Sequence, residues 1–139
     1  MAVSVLTDAM VIINGVTLSD HANQVTIDDN REPVDITAFG ATNKAVTKGL
    51  GDATMSVSLF QDFAAAKTHA TLQPLIGSST PVTVEIRPTS AARSATNPAA
   101  VMSALLMNYN MLSGSVGEAS TITAEFQNGS QSGVSYPTS

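Results

Sequence analysis

Cysteine and tryptophan are absent from the 139 residues, and Lys, Arg, Asp and Glu together supply only 12% of them. Without cysteine there is no disulfide framework, no thiolate nucleophile and no sulfur-ligated metal, so stability must come from packing and assembly. Two tyrosines, Tyr109 and Tyr136, and no tryptophan leave little for stacking on sugar rings, which weakens a carbohydrate-binding module. Six basic residues against eleven acidic ones give a net charge of −5, the opposite of what gripping a phosphate backbone requires. No apolar run approaches the roughly 20 residues of a membrane-spanning helix. The segment from Met1 to Asp8 lacks the basic start and long apolar core of a secretory leader, so synthesis and use in the cytoplasm are expected.

Catalytic and metal-binding patterns are equally scarce. His21 and His69 have no carboxylate at a metal-ligand spacing, and read as a solvated turn residue and a helix-surface or helix-packing residue. The serines fall in neither a G-x-S-x-G elbow nor an S-x-x-K motif. Asp28 and Asp29 lack the remaining positions of a calcium loop, and Arg31 is at hand as a counter-charge. Gly49 and Gly51 are not followed by the Lys-Ser/Thr of a phosphate cradle. No enzyme activity and no cofactor are expected.

The residues that are abundant, Thr, Ser, Val, Gly and Asn, favour strands and turns, and 43% hydrophobic content supports one ordinary core. The expectation is an all-β, single-domain protein over 1–139, with a Ser/Gly-rich tail from about 130 that is flexible unless docked. Asn14-Gly15 between two apolar runs predicts a type I′ hairpin. Gln24–Asp28 and Val34–Ala38 read as separate strands divided by the break at 29–33. Strict alternation from Thr54 to Leu59 places Met55, Val57 and Leu59 on one face, as does Pro81–Arg87 for Val82, Val84 and Ile86, and Ser120–Gln127 for Ile122, Ala124 and Phe126. One helix is predicted from Phe63 to Gln73, capped by Asp62, with Phe63, Ala66 and Ala70 on a common face and Pro74 at its end. Between strands, the segment 41–50 carries Lys44, Val46, Lys48 and Leu50: a loop that offers apolar side chains to something outside its own core. Glu85 and Glu125 fall on polar strand faces and would make an acidic stripe if those strands were close.

Asp35-Ile-Thr-Ala-Phe-Gly40, the Gly49-Leu-Gly-Asp52 turn and Leu59-Phe-Gln-Asp62 resemble the tail tube proteins of long-tailed bacteriophages, and the similarity extends over most of the chain. The resemblance implies a β-sandwich or barrel-like fold with one flanking helix and a long inter-strand loop. It further implies hexameric rings that stack into a hollow tube for DNA, in a virion tail of the non-contractile kind assembled in the bacterial cytoplasm. Its partners would be copies of itself and the tape measure, terminator and distal tail proteins. Lys44, Val46, Lys48 and Leu50 would contact the adjacent ring, and Asp28, Asp35, Glu85 or Glu125 would face passing DNA. Alternative readings are a tail terminator, the tube of an injection apparatus, or a small β-sandwich binding module.

Overall fold

The computed structural model describes Val3 and residues 5–139; Met1, Ala2 and Ser4, part of the amino-terminal segment read above for a leader, lie outside the described residues. The elements are β1 (Met10–Ile13), β2 (Val16–Thr17), β3 (Ala22–Asp35), β4 (Val46–Phe60), α1 (Thr68–Ile76), β5 (Val82–Arg87), β6 (Ala100–Tyr109), β7 (Thr121–Asn128) and β8 (Val134–Ser135). All strand pairs are antiparallel, in one sheet of order β2-β1-β5-β6-β7-β4-β3, with β8 beside β6. The all-β expectation holds.

Alternation decides which side of the sheet is the core. Val11 and Ile13, Met55, Val57 and Leu59, Val84 and Ile86, Met102 and Ala104, and Ile122, Ala124 and Phe126 all point inward and are buried. Val11 of β1 and Ala22 to Val25 of β3 line one cleft of about 240 Å³, and Val25 and Ile27 of β3 with Ile86 and Arg87 of β5 line another of about 300 Å³, so β3 at one end of the strand order comes close to β1 and β5 near the other. The sheet therefore curls over a single core. Asn14 and Gly15 take φ of 52° and 81° between β1 and β2, the left-handed pair that a type I′ turn needs.

The helix begins later than predicted. Asp62 accepts a hydrogen bond from the Ala64 amide at 2.9 Å, which closes a separate turn, and Ala66 sits at φ 59°, so helical geometry starts only at Thr68. Its buried face is Thr68, Thr71, Leu72 and Leu75, while Phe63 and Ala70 are exposed. Burying each leucine is worth ~1.5–3 kcal/mol, and this holds the short helix onto β6 although Pro74 lies inside it rather than ending it. The Thr68 hydroxyl donates to the Phe60 carbonyl at 2.9 Å, tying helix to strand.

Two further expectations are corrected. The break at 29–33 does not exist: β3 runs unbroken to Asp35, absorbing Pro33 at a register shift opposite β4. The loop expected at 41–50 lies instead at 36–45, because β3 extends to Asp35 and β4 begins at Val46. The carboxy-terminal segment is docked: Val134 and Ser135 pair with Met102 and Val101, and the Ala99 amide donates to the Pro137 carbonyl.

Candidate interaction surface

β3 and β4 form a long hairpin, and only its base belongs to the core. From Asp29 through Asp52 every residue is exposed except the half-buried Gly49. The arm is zipped from Asp29 opposite Ala53 to Asp35 opposite Val46, then closed by the Ile36 amide on the Ala45 carbonyl and the Ala45 amide on the Thr37 hydroxyl at 2.8 Å. A side chain at Gly49 would place its Cβ 2.9 Å from Val34 Cγ2 and 3.0 Å from the Glu32 carbonyl, so glycine permits the close strand approach where the register slips. At the base, the Tyr136 hydroxyl donates to Asp29 at 2.8 Å and Arg31 reaches the same carboxylate at 2.6 Å; these contacts hold Asp29 below the usual carboxylate range.

The four residues expected to reach a neighbour all lie on this arm: Lys44 in the terminal turn, and Val46, Lys48 and Leu50 in β4 rather than in a loop. Val46 is 63% and Leu50 84% exposed, and they are joined by Val34, Ile36 and the fully exposed Phe39. Five open apolar side chains outside the core make the arm a candidate contact surface.

The acids separate. Asp28 lies opposite Thr54 and Glu125 opposite Ser56, so both occupy the outer sheet face on either side of β4. That geometry sets them ~12 Å apart. Around them stand Thr26, Ser58, Thr123 and Gln127, with no cation on the face of β3, β4 and β7. Asp35 is instead on the arm, accepting from the Thr37 amide at 2.9 Å. Glu85 is buried, with Arg93 bonded to one carboxylate oxygen and Arg87 Nε 3.1 Å from the other. The Arg87 contact is an ion pair of poor alignment, since Nε makes no hydrogen bond. No stripe joins Glu85 to Glu125, because their β6 partners Val101 and Asn108 are far apart along that strand.

Sequence reasoning missed two arrangements. His21 is a bridging residue rather than a solvated one: Nδ1 is 2.8 Å from Asp20 and Nε2 2.8 Å from Asp62. Both ring nitrogens must donate, which favours the imidazolium, and the Asp20 and Asp62 hydrogen bonds raise the His21 pKa above its ordinary value. The second is an apolar patch around Phe60, Phe63, Met111 and Leu112, drawn together where Gln61 donates to the Tyr109 hydroxyl at 3.0 Å and to the Met111 carbonyl. The signal available was Met111, Leu112 and Val116, apolar residues in the Ser/Gly-rich segment 111–117. Among the described residues, no group of three His, Asp or Glu side chains is placed to hold a metal ion, and no helix is long and apolar enough to cross a membrane.

No protein-family model matches the chain, and no curated protein matches it by sequence. Solved structures share its fold. A chain from the virion of a native gene transfer agent particle superposes with a TM-score of 0.73 at 12% identity, covering 94% of this chain and 95% of that one. A chain from the tail of an empty gene transfer agent particle with C6 symmetry gives a TM-score of 0.63 at 12% identity, covering 84% and 82%.

Proposed function

We propose that this chain is a non-enzymatic structural subunit of a phage-like tail, forming six-membered rings that stack into a hollow tube through which DNA passes. The observation that carries the reading is the fold shared, over most of both chains, with a subunit of a C6-symmetric tail. The chain's own chemistry supports it. β3 is an edge strand of 14 residues, bonded on one side only, and an open edge is a template for pairing. Closing copies into a ring removes such edges, and repetition along the axis needs a contact that the apolar arm supplies.

The outer face of β3, β4 and β7 suits a lumen. Hydroxyls and amides keep it wetted, while Asp28 and Glu125 repel phosphates and no lysine or arginine is there to trap them. DNA would slide without specific contacts. Glu85, already neutralised by two arginines, contributes little to that field. The arm residues Lys44, Val46, Lys48 and Leu50 take the inter-ring role, and the tape measure, terminator and distal proteins would meet the ends of the tube in a virion assembled in the host cytoplasm.

Native mass spectrometry over a concentration series tests the ring. Species at six times the 14.3 kDa subunit mass, and multiples of that, are expected; a monomer persisting at the highest concentration would overturn the proposal.

A further inference from the structure

β4 spans 15 residues, so its two ends lie ~45 Å apart. At the Val46 end is the arm tip, with Ile36 57% and Phe39 fully exposed. At the Phe60 end is the second apolar patch: Phe60, Phe63, Met111, Leu112 and Val116, each between 40% and 105% exposed. It is a built surface rather than scattered side chains. The Gln61 amide donates to the Ser120 carbonyl, the Gln61 side chain holds the Met111 carbonyl, and the Phe63 ring lies 5.1 Å from His69, whose Nδ1 is 2.6 Å from the Tyr109 hydroxyl.

Charge says what covers it. Between residues 36 and 47 the single charged side chain is Lys44; between 110 and 119 the single charged side chain is Glu118. Asp62, between Phe60 and Phe63, is taken up by His21, so the exposed acid on the patch is Glu118 and the exposed cation at the tip is Lys44, charges of opposite sign. Two complementary surfaces on opposite ends of one chain form a heterologous contact that does not close on itself, the condition for an open stack. We infer that the patch around Phe63 and Leu112 is the receiving surface for the arm tip of a second copy, with Phe39 and Ile36 seated on it and Lys44 paired to Glu118. This rests on the tail reading only for the identity of the partner as another copy of the chain.

The absence of cysteine makes the test clean. Ala41→Cys at the tip and Ser115→Cys in the receiving loop are exposed changes that leave every proposed contact in place. The double variant is oxidised under assembly conditions, run on non-reducing gels and imaged in parallel. A ladder of covalent oligomers is expected from the double variant and none from either single one, since the two ends are too distant to join within a chain. Adding Lys44→Glu should abolish the ladder, and adding Glu118→Lys to that variant should restore it. Tubes without a ladder would overturn the receiving surface while leaving the tail reading intact. A ladder without tubes would support the pairing and contradict the tube. Neither tubes nor ladder would overturn both.

Discussion

Replacing Val46 and Leu50 together by aspartate separates the arm's role in assembly from any role in folding. Both side chains are largely exposed in the single chain, at 63% and 84%, so the change removes no core contact. Aspartate is a poor strand residue, but the whole propensity scale spans ~1 kcal/mol. Over two positions that is at most ~2 kcal/mol, which at this chain length lowers the melting temperature by at most ~7 °C. In an assembled stack the arithmetic differs. Burying a valine or leucine is worth ~1.5–3 kcal/mol each, so the double variant forfeits up to ~3–6 kcal/mol at every subunit contact before the cost of desolvating two carboxylates is added. At 1.4 kcal/mol per factor of ten, each contact weakens ~100- to 10,000-fold, and the free-energy loss adds up over every subunit contact between two rings. Calorimetry and sedimentation velocity on the same preparation read both quantities. The account expects the melting temperature to fall by no more than ~7 °C, with loss of long assemblies. Unchanged tubes would refute the arm's part in stacking, and a collapse of the melting temperature would show that the arm belongs to the folding unit.

Other expectations follow from the core, the turn and the histidine bridge. Phe126→Ala deletes a fully buried ring at the centre of the sheet and should cost ~3–5 kcal/mol in chemical denaturation. Gly15→Ala meets no atom within 4 Å, so its cost is the left-handed backbone alone, ~1 kcal/mol by the same measurement. Because the folded-state pKa of His21 is raised above 6.5, its bridge contributes fully below that pH and is lost as pH rises through the folded value. Asp20 and Asp62 are held below 3.8 by His21 and by the Ala64 amide respectively, so their share is present above 3.8 and lost as pH falls further. Melting temperatures of the native chain should therefore decline relative to those of His21→Gln as pH rises above 6.5; parallel curves would contradict the bridge.

The core was legible because period-two alternation maps directly onto a curled sheet: Met55, Val57 and Leu59, and Ile122, Ala124 and Phe126, are buried as their spacing demands. Asn14-Gly15 was legible for a similar reason, since few residue pairs tolerate two left-handed positions. The arm was half legible. Its apolar and basic residues stood out, but Pro33 and the glycines at 49 and 51 read as breaks, whereas a register shift absorbs all three within one hairpin. The helix start failed because Asp62 had two competing uses, a turn with Ala64 and a bridge to His21, and local spacing cannot see the second. Glu85 looked solvated for want of knowing that Arg93 folds back onto it from a patternless loop. The second apolar patch was only half legible, because its members come from two segments far apart in the chain, 60–63 and 111–116.

The central claim is self-assembly of this one chain into a hollow tube, and negative-stain electron microscopy of the purified, concentrated protein without partners tests it most directly. The account predicts tubes of uniform width with six-fold end views. Discrete particles or monomers at every concentration would contradict it.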